Sequence, residues 1–154
     1  MTNIPLLSLL ILFPFISSLI ILSINKNDKF YERKVKEIGL WSSLITFFLS
    51  LLLLYHFDVT DSNFQFTEIY KIIPDLGIYY YLGVDGISLS FILLTTFLIP
   101  ICIITSWNSI NKHINYFIIS FLMIEFFLIG LFSSLDLFIF YIFFFVSLIP
   151  LFLI

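Results

Sequence analysis

Five long apolar stretches constrain this chain more than any other feature. They run from about Ile4 to Ile24, Ile38 to Phe57, Val84 to Trp107, Ile114 to Phe132 and Leu137 to Ile154. Each is close to the roughly 20 apolar residues a helix needs to cross a hydrocarbon core, where no water is available to satisfy loose backbone groups. With 61% hydrophobic and 11% charged residues, a chain of 154 residues has too little polar surface to cover a soluble globule. The expected fold is therefore all-α and integral to a membrane: one membrane domain over 1–154 with five transmembrane helices.

Pro14 and Pro100 fall inside the first and third stretches, where neighbours must make good the missing backbone donor. Trp41 opens the second, and Tyr55 and His56 stand near its far end at interface depth. Residues 58–82 form the one long extramembrane segment. Phe64, Phe66 and the cluster from Ile78 to Tyr81 predict short strands there, by their alternation and aromatic content. The short turn from Ser133 to Asp136 predicts that the last two helices pack as an antiparallel pair.

Charge sets the expected orientation. Lys26, Lys29, Arg33, Lys34 and Lys36 sit in the first loop, and Lys112 and His113 in the third. The second loop sets Lys71 against Asp58, Asp61, Glu68 and Asp75. Short loops rich in Lys and Arg stay on the side of synthesis. The first and third loops are thus expected in the matrix or cytoplasm, and the N-terminus and acidic loop on the opposite side.

Several function classes are excluded. A net charge of −3 and the lack of a long basic run argue against nucleic acid and against a polybasic lipid-binding tail. Cys102 is the single cysteine and lies in an apolar stretch, so it reads as a small packed hydrophobe. His56 and His113 fall at opposite faces, and no cluster has metal-ligand spacing. Gly83 and Gly86 do not make a phosphate loop, and no Ser or Cys stands beside a base. No cofactor is expected in this chain, and no redox or hydrolytic chemistry of its own.

Alanine is absent, Arg33 is the only arginine, and Phe, Ile, Asn, Lys and Tyr are heavily used. These are residues with AT-rich codons, which points to an organellar gene. The first stretch has neither a preceding cationic segment nor a small-residue cleavage site, so it is read as a span rather than a targeting peptide.

Glu125 is the one ionisable residue deep in a stretch, flanked by Ile124, Phe126 and Phe127. A carboxylate at that depth costs about 2.5–3.5 kcal/mol or more, so it must face other protein or water. Two readings stand side by side: a proton relay, or a buried structural hydrogen bond. Asp85 in Gly83-Val84-Asp85-Gly86-Ile87-Ser88 and Asp136 before the fifth stretch are placed to start helices, since a carboxylate there accepts backbone donors and suits the positive helix end.

Four passages then carry a resemblance. They are Phe64 to Glu68; Tyr81 to Ser88 with Leu98 to Cys102; Glu125 to Leu137; and Phe140 to Phe144 with Leu148-Ile149-Pro150. In their order and spacing the sequence resembles the subunit 4 family of mitochondrial NADH:ubiquinone oxidoreductase, complex I, an antiporter-like membrane-arm family. The resemblance implies a segment from the N-terminal part of such a subunit, in the mitochondrial inner membrane, contributing to proton translocation coupled to quinone reduction elsewhere in the complex. It implies as partners the other membrane-arm subunits, including a chain that supplies the family's remaining helices, together with membrane lipids. The alternatives are a non-pumping scaffold subunit of the same complex, or a subunit of a multisubunit cation/proton antiporter.

Two departures stand out. Where the family has a proton-channel glutamate in its fifth helix, this chain has Phe145, and Glu125 becomes the candidate substitute. The family has about fourteen helices, and the fifth stretch closes at Ile154 without a polar anchor, so the chain is expected to be truncated or continued by a partner.

Overall fold

A computed structural model of the chain describes residues 5–24, 30–61, 63–73, 78–107, 110 and 113–154. The loop charges Lys26, Lys29, Asp75 and Lys112 lie outside the described residues. In chain order the elements are α1 (Leu6–Ser23), α2 (Tyr31–His56), β1 (Gln65–Ile73), β2 (Ile78–Val84), α3 (Gly86–Thr105), α4 (Ile114–Ser133) and α5 (Leu137–Leu153). Four helices, α1 to α4, are long and apolar enough to cross a membrane, and α5 is a shorter apolar helix of 17 residues.

Helix α2 starts well ahead of its apolar stretch. Its first turns are built from Glu32, Arg33, Lys34, Lys36 and Glu37, straight-chain residues that lose little freedom in a helix. Glu32 sits in the first turn, where the helix dipole favours an anion, and Arg33 Nε pairs with Glu37 Oε1 at 2.7 Å one turn on. At 26 residues the helix is about 39 Å long, more than a hydrocarbon core of about 30 Å requires.

One end of the bundle is knitted together by the β1–β2 hairpin. The strands pair antiparallel, with Ile69 opposite Tyr81 and Tyr70 opposite Tyr80, and a bulge between Gln65 and Glu68. Phe66, inside that bulge, has φ 52°, a left-handed conformation that turns its ring toward the bundle. From the hairpin, Glu68 accepts backbone bonds from Leu7 (3.1 Å) and Ser8 (3.3 Å) and the hydroxyl of Ser8, capping a helix whose own N-cap is Pro5. Strand β2 bridges to the α4–α5 turn: Leu82 pairs with Ser134, and Leu135 N donates to Tyr81 O at 2.8 Å. The start of α1, the hairpin and the α4–α5 turn therefore share one end.

At the other end, Lys36 Nζ donates to the carbonyl of Trp107 at 2.5 Å and lies 5.7 Å from its ring centroid, tying the start of α2 to the end of α3.

The core falls into two apolar clusters. Leu7, Leu10, Ile11, Leu53, Leu82, Val84, Leu89, Ile92 and Ile129 pack at the hairpin end. Ile21, Val35, Ile99, Ile103, Ile114, Ile118, Leu122 and Ile124 pack toward the Lys36 end. Between them the buried side chains turn polar: Ser42, Ser43, Thr46 and Ser50 on α2, Thr95 and Thr96 on α3, and Glu125 on α4. Helix α5 lies against α4, where Gly130 leaves room for the ring of Phe143; a Cβ at Gly130 would fall 2.7 Å from Phe143 Cζ.

Candidate functional site

The polar belt is written into α2 by a four-residue repeat. Ser42, Thr46 and Ser50 recur at helical spacing, so their hydroxyls form one stripe facing α3 and α4. At mid-depth α4 presents Glu125 to that stripe, and its side chain is fully buried. Ile124 joins one apolar cluster and Phe126 packs against the other, which fixes Glu125 at the junction between them.

Thr46 Oγ1 is hydrogen-bonded to Glu125 Oε1. The same oxygen lies 2.9 Å from the carbonyl of Ser43 and 3.3 Å from that of Ser42. A hydroxyl has one proton, so two arrangements follow. With Glu125 ionised, Thr46 donates to it. With Glu125 protonated, the carboxyl donates to Thr46, which turns its own proton to a backbone carbonyl. Glu125 Oε2 and Ser42 Oγ are buried and have no hydrogen-bond partner among the described residues. Farther along α2, Ser50 Oγ and Thr96 Oγ1 share a bond of 2.8 Å, completing a hydroxyl track on the hairpin side of Glu125.

Asp85 and Asp136 lie elsewhere, at the hairpin end. Asp85 Oδ1 accepts from Ser88 N at 2.7 Å while Ser88 Oγ accepts from Asp85 N at 2.9 Å, a reciprocal cap on α3. The Ser88 donors hold this carboxyl below the usual aspartate range. Asp136 caps α5 through Phe138 N at 2.8 Å and also accepts Tyr79 N at 3.2 Å from the hairpin. Those backbone donors, Tyr79 first, lower its pKa as well. Neither residue is brought to Glu125.

Phe145 is 61% exposed on α5, its ring set against Tyr141 and Phe144. From this part of α4 the rings of Phe126 and Phe127 reach α5, at Phe143, whereas Glu125 faces α2. Glu125 is thus directed to a different place from an acid at position 145. Sequence reasoning singled out Glu125 but missed Thr46, Ser42, Ser50 and Thr96. The four-residue hydroxyl repeat in an otherwise apolar helix was the available signal. Among the described residues, no three His, Cys, Asp or Glu side chains gather as a metal-binding group.

Comparison with known proteins supplies the family. Over 148 residues the chain is 48% identical to NADH-ubiquinone oxidoreductase chain 4 of Arabidopsis thaliana, covering 96% of this chain and 29% of the relative. The chain is a homologue of that subunit. The same-named protein of Mycosarcoma maydis is 42% identical over 96% of the chain and 30% of the relative. NADH-quinone oxidoreductase subunit M of Rickettsia prowazekii is 37% identical over the whole chain and 31% of the relative. The chain thus spans about a third of the length of these chain 4 and subunit M relatives. No protein-family model matches it. Its fold matches a chain in the structure of respiratory complex I from Thermus thermophilus with bound NADH: TM-score 0.73, 24% identity, 94% of this chain and 27% of the other.

Proposed function

We propose that this chain forms part of the membrane arm of a proton-translocating NADH:ubiquinone oxidoreductase and that Glu125 carries a proton within it. The observation that carries the reading is Glu125 itself: an ionisable side chain wholly enclosed at mid-depth, with one oxygen on Thr46 and the other unpaired among the described residues. Ionisable residues are kept at such depth for pathways more than for packing, because an apolar residue would be cheaper there. The Thr46 hydroxyl can donate or accept, so it holds Glu125 in both protonation states and does not trap either.

In this reading the complex resides in the mitochondrial inner membrane, the chain is made inside the organelle, and no cofactor binds here. Electron transfer from NADH to quinone takes place on other subunits. The remaining helices of the family fold come from further polypeptide, against which the exposed ring face of α5 packs, with lipid covering the rest.

The test is Glu125→Gln in the assembled complex, with NADH oxidation and proton uptake measured together. Gln keeps the shape and a bond to Thr46 but cannot exchange a proton. A relay predicts loss of pumping and a fall of coupled turnover by about a hundredfold or more, the scale of a lost proton-transfer group. Unchanged pumping in fully assembled complex would sink the relay. The second reading, a scaffold that conducts nothing, is favoured by Phe145, an aromatic residue where the family resemblance implies an acid; it predicts that outcome.

A further inference from the structure

A cleft of about 350 Å³ opens between α1 and α2. Its walls include Phe13 and Ser17 of α1, and Lys34, Glu37, Trp41 and Ser42 of α2. The two charged residues stand in the first turns of α2, at the end of the bundle away from the hairpin. Ser42 lies two turns deeper. Resting on the relay reading above, we propose that this cleft is a wet vestibule through which protons from the Lys34 face reach Glu125 by way of Ser42 and Thr46.

Phe13, Ile38, Trp41 and Ile45 make most of the wall apolar, and it is the polar groups among them that favour water over an acyl chain. An apolar cleft stays dry or takes lipid, whereas a hydrated one needs space and polar partners. The space far exceeds that of one water. The partners are a lysine and a glutamate on the cleft wall, the hydroxyl of Ser17, and that of Ser42, which is 96% buried and unpaired among the described residues. Thr46 Oγ1 is bonded to Glu125 and lies 3.3 Å from the backbone carbonyl of Ser42, so a water between them must carry the proton from the Ser42 hydroxyl to Thr46. The unpaired Oε2 of Glu125 offers the next acceptor. Glu37, half exposed, is held by Arg33 at the mouth.

The experiment places a cysteine at Ser42 in a Cys102→Ser background, in assembled complex in sealed membranes. A sulfonate-bearing thiosulfonate, which is charged and does not cross lipid, is added to the Lys34 face. The reactive species is the thiolate, which forms only where water reaches the thiol. Ser42→Cys is expected to react about tenfold faster or more than Ser50→Cys, which lies on the same stripe beyond Thr46. Reaction of Ser42→Cys with a lipid-soluble maleimide alone would mean that lipid fills the cleft, and reaction with neither reagent that it is sealed; both overturn the vestibule. If Ser42→Cys fails to assemble, Ser17→Cys on the opposite wall gives the same readout. Labelling reports the cleft and Glu125→Gln turnover reports the relay, so the two ideas can fail separately.

Discussion

Removing the Glu68 carboxylate should loosen the start of α1 while leaving the rest of that helix intact. An α-helix begins with backbone donors that have no partner within it, and Pro5 brings no side-chain acceptor. Glu68, some sixty residues away, takes the amides of Leu7 and Ser8 and the Ser8 hydroxyl. Losing a capping acceptor costs about 0.5–2 kcal/mol, and losing a negative charge at the positive helix end about 0.3–1 kcal/mol more. For Glu68→Ala the sum is about 2 kcal/mol, which corresponds to about a 30-fold increase in local opening. Amide exchange at Leu7 and Ser8, followed by mass spectrometry in detergent or nanodiscs, reads this directly. Glu68→Gln should give a smaller effect, because its carbonyl oxygen still accepts both amides and only the charge is gone. If Glu68→Ala left exchange at Leu7 and Ser8 unchanged while exchange in α3 rose, the carboxylate would be acting through general stability and the cap would be refuted.

Two further outcomes are expected. Gly130→Ala puts a methyl 2.7 Å from Phe143 Cζ, so α5 must shift or the ring must turn; a cost of about 1–3 kcal/mol should lower the unfolding temperature of the purified chain, and Phe143→Leu should restore it. Asp85 and Asp136 have folded-state pKa values below the usual aspartate value of about 4, so their stabilisation is present above that pH and lost as pH falls through the lower folded values. Thermal unfolding measured from pH 7 down to pH 3 should show this acid loss, and Asp136→Asn should flatten it.

Hydropathy made the apolar helices legible, because in lipid a helix is nearly the only way to satisfy the backbone. It misjudged where α2 begins, since charged residues that signal a loop by hydropathy are also good helix formers. The second hairpin strand was legible in the cluster from Ile78 to Tyr81, whereas β1 begins at Gln65, leaving Phe64 outside it, and runs on to Ile73 without aromatic alternation to mark it. The docking of the hairpin was not legible, because it rests on Glu68 reaching Leu7 and on Tyr81 reaching Leu135, pairs with no trace in local pattern. The site divides the same way. Glu125 announces itself as a charge among Phe and Ile, but Thr46 does not, because hydroxyls in apolar helices commonly bond their own backbone, as Thr95 does with Phe91.

The stitching of β2 to the α4–α5 turn also bears on how the chain is made. Strand β2 finishes at Val84, whereas its partners Ser134 and Leu135 are synthesised only after two more helices. At about 5–20 residues per second, those roughly fifty residues take about 3–10 s. Throughout that interval Leu82 and Tyr81 have their β1 partners but lack those from the α4–α5 turn. The hairpin can therefore complete its contacts only once α3 and α4 have been made and the turn after α4 has reached it. A helix skipped or inserted upside down would leave that strand edge open, ready for capture by a chaperone or a protease.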